Sequence, residues 1–212
     1  MWFDAPIGYI GITKRWADEN KKSWKEWWLP TRHDDVKLVQ FMGKDNIFFH
    51  SIMFPASLKG SGEKWKLVDE IFASGWLLAK DTKFSKSTGT GLSATDALSV
   101  ASSDVWRFVL MSLYPETDDT VFSWDEFQKI VNTELADNIG NFINRVLVFV
   151  KNNFGKVPDR HVLTNEDEMF LEALSAIKNE IKKHIENGKL RQALHEVSRF
   201  STECNVYLNA QE

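Results

Sequence analysis

The chain has 212 residues, 43% hydrophobic and 26% charged, with 26 Lys and Arg against 30 Asp and Glu for a net charge of −4. These proportions are those of one ordinary folded domain or two small ones, and they exclude collagen-like, low-complexity and disordered classes. The acidic balance excludes a global basic field, so any nucleic-acid contact rests on local patches; the one cysteine, Cys204, excludes an internal disulfide and a cysteine-rich zinc knuckle.

Up to residue 115, short apolar runs alternate with helical stretches and glycine-rich turns. Lys37 to Met42 reads as a strand ended by Gly43. A helical pattern then starts around Asp45 and Asn46 and passes through Phe49, Ile52 and Met53 to Pro55 or slightly beyond. Leu67 to Ala73 is a second strand, and Trp76 to Ala79 a third that leads into a polar loop. Strand, helix, strand is the α/β pattern. Asp104 to Leu113 reads as a short buried helix. The acidic connector Glu116-Thr117-Asp118-Asp119 marks a boundary, giving regions 1–115 and 116–212. Beyond it Ser123 and Glu126 have capping-box spacing. Trp124, Phe127, Val131, Leu135, Phe142, Val146 and Phe149 then form the apolar stripe of one helix. Phe170, Leu174, Ile177, Ile181 and Ile185 mark a second. After Asn187-Gly188, Leu190, Leu194, Val197, Phe200, Cys204 and Tyr207 mark a third. The fold class is therefore α/β followed by an all-α bundle.

Three segments are richer than a core requires. Trp2-Phe3-Asp4-Ala5-Pro6-Ile7-Gly8-Tyr9 combines an irregular, strand-like backbone with flanking aromatics. It suits the wall of a small apolar pocket, although standing alone it reads first as an aromatic-rich turn in a core. In Gly43-Lys44-Asp45-Asn46-Ile47-Phe48-Phe49-His50, a glycine at a strand end admits a ligand close to the backbone, and Asp45 can accept hydrogen bonds from ribose hydroxyls. Capping of the next helix by Asp45 is the competing reading. His50 falls one helical turn after Asn46. Lys83-Phe84-Ser85-Lys86-Ser87-Thr88-Gly89-Thr90-Gly91 is a cationic loop able to hold a polyphosphate, or else a solvated surface loop.

Together these segments resemble the methionyl-tRNA synthetases of the class I aminoacyl-tRNA synthetase family. Lys83 to Ser87 is similar to the K-M-S-K-S loop, with Phe84 in the methionine position. Trp2 to Tyr9 and Gly43 to His50 are similar to the W-F-D-A-P-I-G-Y and G-K-D-N-x-x-F-H segments, in the family's order and spacing. The resemblance implies the second half of a Rossmann-like catalytic fold plus an anticodon-binding helical bundle. It implies an ATP-dependent ligase that activates methionine and transfers it to tRNA(Met), with Mg²⁺ accompanying ATP. Trp2, Pro6, Tyr9, Phe49, His50 and Phe54 would line the methionine side-chain pocket, with Tyr9 and His50 nearest the sulfur. Gly43 and Asp45 would hold the ribose and the backbone at Leu77 the adenine, with Ser85 and Lys86 also binding ATP. Lys86 would neutralise charge on the α-phosphate and departing pyrophosphate, and Lys83 would help close the loop. Asn141 and Arg145, at i and i+4, match the N-x-x-x-R pair implied to read the CAU anticodon. Without the resemblance they are an ordinary polar helix face.

The chain contains no H-I-G-H motif, no connective zinc-knuckle insertion and no P-W pair after Gln211-Glu212. These departures predict a C-terminal portion of a longer synthetase, inactive without the half that carries H-I-G-H. A non-catalytic tRNA-binding or assembly module and a class I synthetase for isoleucine or valine are the alternatives. No apolar run reaches the roughly 18 residues of a membrane span, and Met1-Trp2-Phe3-Asp4 opens no signal-peptide core. A cytoplasmic location off the membrane is expected, with no metal site in this chain.

Overall fold

In a computed structural model of the protein, residues 5–32, 35–79, 82–83, 92–159 and 162–211 are described. The chain divides into two compact units, Met1–Trp76 and Leu77–Glu212, whereas the composition changes near residue 116.

In the first unit the run expected as a strand forms β1 (Val39–Gly43), which pairs in parallel with β2 (Glu70–Ser74). The register runs from Val39 opposite Glu70 to Gly43 opposite Ser74. β2 starts later than the apolar run because Asp69 takes another role. Its carboxylate accepts the Leu38 N–H at 2.6 Å and the Lys66 ammonium at 2.7 Å, while its own N–H donates to the Leu38 carbonyl at 2.9 Å. Burial pushes the Asp69 carboxyl up, but the Lys66 hydrogen bond, the Leu38 N–H and the charges of Lys66 and Lys37 outweigh it and hold the group below its ordinary value. Asp69 thus staples the entrances of both strands.

Between them lie a 3₁₀ turn (Lys44–Asn46), a π-helical turn (Phe49–Met53) and α3 (Phe54–Gly60), preceded in the chain by α1 (Ile7–Glu19) and α2 (Lys25–Trp28). α1 corrects the irregular, strand-like backbone expected around Pro6 to Tyr9. Pro6, at φ −63° and ψ −22°, already has helical angles and starts a helix that contains Gly8, Tyr9 and Gly11. Ile10, Trp28, Phe54 and Leu58 form the core here, with Trp24, Leu38, Trp65 and Leu67 packed against it.

The second unit starts with β3 (Leu77–Ala79), which pairs antiparallel with β4 (Thr82–Lys83) and parallel with β5 (Thr120–Phe122). α4 (Ala94–Val100) and α5 (Ser103–Ser112) precede β5. Trp106, Val109, Phe122, Phe127 and Ile130 make the core, and the Trp106 indole donates to the Ala97 carbonyl at 2.6 Å. The next helix is one continuous rod in three stretches: α6 (Trp124–Lys129), a π-helical stretch (Ile130–Gly140) and α7 (Asn141–Asn153). Ser123 caps it by accepting the Glu126 N–H at 3.1 Å. The reciprocal half of that capping box is replaced by an ion pair from Glu126 to Lys129 at 3.6 Å. A full capping box occurs instead at Thr164 and Asp167, opening α8 (Asn165–Glu186).

α9 (Leu190–Gln211) packs along α8 through a stack in which the Phe170 ring lies 4.3 Å from Tyr207 and 5.5 Å from Phe200. The Tyr207 hydroxyl also donates to Asp167, which holds that carboxyl below its ordinary value with help from the Thr164 N–H and hydroxyl. Glu116, from the acidic connector, accepts the N–H groups of Arg191 and Gln192 and so caps the start of α9. This architecture is α/β followed by helices. Among the described residues no helix is long and apolar enough to cross a membrane.

Candidate functional site

Three of the residues expected around a methionine side chain meet in the first unit. His50 is 5% exposed, on the π turn that follows β1. Its Nδ1 lies 2.9 Å from the Asn46 carbonyl oxygen, which can only accept, so Nδ1 carries the proton. In the neutral ring Nε2 is then an acceptor, and the Tyr9 hydroxyl donates to it at 2.8 Å. The Tyr9 ring is 5.7 Å from His50 and edge-on to Phe54 at 6.2 Å. Phe54 in turn meets Trp28 edge-on at 6.2 Å, and the Trp28 indole donates to Thr13 at 2.9 Å. Phe54 therefore belongs to the core that backs Tyr9. Pro6 is buried at the start of α1, one turn before Tyr9, and Phe49 is half-buried beside Phe48, at 5.8 Å. Trp2 lies outside the described residues. Asn46 was not singled out for this site from the sequence, although its spacing of four to His50 signals the contact.

At the end of β1, Gly43 and Asp45 stand together. A Cβ on Gly43 would lie 2.8 Å from Asp45 Oδ1, so the carboxylate occupies the space that the missing side chain leaves. The Lys44 ammonium sits 4.3 Å over the Trp76 ring. Parallel strands of an α/β sheet present their carboxyl ends to ligands, and this corner places an acceptor carboxylate there, directly against the Gly43 backbone.

In the second unit Leu77 opens β3, opposite Thr120, and Lys83 closes the hairpin, opposite Leu78. Ser85 and Lys86 lie outside the described residues. On α7, Asn141 is exposed and donates its amide to Asn205 at 3.3 Å, while Arg145 follows one turn later, half-buried. Asn205 also donates to the Asn138 carbonyl at 3.2 Å. The face that carries Asn141 is thus tied to α9. Among the described residues no three His, Cys, Asp or Glu side chains are grouped to hold a metal.

Residues 1–147 match the family model described as tRNA synthetases class I (M). The chain belongs to that family. This class I synthetase chain is 41% identical over 210 residues to methionine–tRNA ligase 1 of Acaryochloris marina, a match covering 99% of the chain and 37% of the relative. It is 43% identical over 215 residues to the cytoplasmic methionine–tRNA ligase of Caenorhabditis elegans, covering 100% of the chain and 23% of that protein. The crystal structure of Mycobacterium tuberculosis methionyl-tRNA synthetase bound by methionyl-adenylate superposes with a TM-score of 0.76 at 26% identity, over 88% of the chain and 36% of that structure. The class I synthetase chain therefore spans little more than a third of the first of these relatives and of the solved structure.

Proposed function

We propose that this chain carries part of the catalytic fold, over 1–115, and the anticodon-reading helices, over 116–212, of a methionine–tRNA ligase. The observation that supports this most is the hydrogen-bonded chain Tyr9–His50–Asn46 with Phe54 edge-on to Tyr9. Its polar groups are paired with one another, so it can face an apolar thioether without leaving a buried group unsatisfied. Sulfur gains about 0.3–1.5 kcal/mol beside an aromatic ring. An aliphatic ligand one methylene different is separated by only about 1–3 kcal/mol in any apolar pocket, so several such contacts must add.

In the reaction a methionine carboxylate oxygen attacks the α-phosphorus of Mg²⁺-bound ATP and pyrophosphate departs. A ribose hydroxyl at the 3′ end of tRNA(Met) then takes the methionyl group and releases AMP. Gly43 and Asp45 hold the ribose, the Leu77 backbone the adenine, and Ser85 the phosphates. Lys86 stabilises the charge that develops at the α-phosphate and pyrophosphate, with Lys83 closing the loop. Trp2, Pro6 and Phe49 complete the methionine wall, and Asn141 and Arg145 read the anticodon. The H-I-G-H half of the fold acts as partner, in the cytoplasm.

The test is amino-acid-dependent ATP–pyrophosphate exchange by the protein immunopurified from its source cells. Methionine dependence is expected; isoleucine or valine dependence, or tRNA(Met) binding without exchange, overturns the reading. The purified 212-residue chain, which contains no H-I-G-H motif, is expected to give no exchange.

A further inference from the structure

α1 ends in an unusual way. The Lys22 N–H donates to the Ala17 carbonyl at 2.8 Å and the Lys21 N–H to Asp18 at 3.4 Å, a Schellman closure that puts Lys21 at φ 54°. α3, α7 and α8 close over Gly62, Gly155 and Gly188, at φ 81°, 68° and 70°. Among the described residues Lys21 is the only non-glycine residue with positive φ. The left-handed region is unfavourable for a residue with a Cβ, so the chain has placed a cation where glycine is the ordinary choice.

The neighbouring side chains give that cation a context. Lys22 lies 5.1 Å over the Trp16 ring and Lys25 5.9 Å over Trp24. Trp16 is 41% exposed and meets Trp27, 46% exposed, edge-to-face at 6.4 Å. A cavity of about 810 Å³ opens over this turn. Among the described residues Lys21, Lys22 and Lys25 pair with no carboxylate; Asp18 and Glu19 are held by Lys14 and Arg15 of the same helix, at 2.6 and 3.0 Å. Glu26 is the one carboxylate lining the cavity, against three lysines.

We propose that this lysine–tryptophan turn docks single-stranded RNA, with bases stacking on Trp16 and Trp27 and phosphates meeting Lys21, Lys22 and Lys25. Exposed indole faces bind any unstacked base, whereas a duplex offers no free base face. Lys22 over Trp16, and Lys25 over the neighbouring Trp24, put positive charge within about one nucleotide of the stacked base. The surface lies in the first unit and uses neither the methionine pocket nor Asn141 and Arg145, so it stands independently of the functional reading above.

The probe is a fluorescein-labelled 12-nucleotide oligoadenylate, which carries no CAU, titrated with the 212-residue chain across a range of NaCl. Lys22→Gln/Lys25→Gln should weaken binding several-fold and lower the log–log salt slope by about 0.7 per lysine lost. Trp27→Leu, which keeps apolar bulk, should weaken it by about five-fold or more without changing the slope. Lys21→Gly should melt no lower than the parent yet bind more weakly, which separates lost binding from lost folding. Unchanged affinity in these folded variants, equal affinity for a duplex of the same length, or retention on phosphatidylserine vesicles with no RNA binding would overturn the proposal. Lys151→Gln, an exposed cation on α7 in the second unit, should leave oligoadenylate binding intact; loss of binding there would overturn the assignment to this turn.

Discussion

Replacing Tyr9 with Phe tests the hydrogen-bonded chain at the candidate pocket most directly. The substitution keeps the ring, and with it the edge contact to Phe54, and deletes only the hydroxyl that donates to His50 Nε2 at 2.8 Å. Asn46 still fixes the proton on Nδ1, so His50 cannot change tautomer to help, and with 5% exposure it finds little water. An unsatisfied acceptor of this kind costs about 1–3 kcal/mol. Tyr9 itself is 43% exposed, which admits some solvent to the gap and favours the lower end, about 1 kcal/mol. For a unit of this size that is about 4–8 °C in melting temperature. Thermal unfolding followed by tryptophan fluorescence measures the loss, and nitrogen-15 NMR of the His50 ring reads Nε2 directly. Tyr9→Phe/His50→Phe should recover part of the loss, because both polar partners are then gone. A Tyr9→Phe protein that melts like the parent with an unchanged Nε2 resonance would refute the argument.

Other consequences follow from the same geometry. Because Asp69 is held below its ordinary value of 3.8, its stabilising contribution is present above that pH and is lost as pH falls through the lowered folded value. Acid melting of the first unit should therefore be shallower in Asp69→Asn, and an identical pH profile would exclude the staple as its source. Gly140→Ala gains up to about 1 kcal/mol of helix propensity. The new Cβ would lie 2.9 Å from the Leu135 carbonyl oxygen, and overpacking against backbone costs about 1–3 kcal/mol. Net destabilisation is expected, with weaker binding of a CAU stem-loop because Asn141 follows directly; a raised melting temperature would contradict it. In a full-length protein Lys86→Ala should lower the activation rate by roughly two orders of magnitude while methionine binding changes little. Equal losses in both would remove its transition-state role.

The strands and long helices were legible because their apolar runs and stripes are long relative to their punctuation. β1 ends at Gly43 as its sequence indicates, and α8 and α9 follow their stripes. α1 was not legible: Ile7 and Ile12 face solvent at 64% and 69% exposure, and Gly8 and Gly11 lie within it, so no stripe forms. β5 has three residues, too few for a period, and is defined by its partner Leu77–Ala79. The π stretch is hidden for another reason. Its inward residues Ile130, Val131, Leu135 and Ile139 keep spacings that an α-helix also allows, and only the backbone distinguishes the two. At the candidate site, the His50–Asn46 contact follows from helical spacing. Tyr9 reaches His50 across 41 residues, a pairing that local pattern cannot supply and that only the family resemblance pointed to.

The placement of the tryptophans gives the molecule a built-in optical division. Of its nine indoles, seven fall before Leu77 and only Trp106 and Trp124 after it. Most of the helix lies on the other side, α4 to α9 all following Leu77 and including the two 22-residue helices. Intrinsic fluorescence thus watches mainly the first unit, and far-ultraviolet circular dichroism mainly the second. Overlaid denaturation curves from the two signals report, without any label, whether the chain unfolds as one cooperative body or as two.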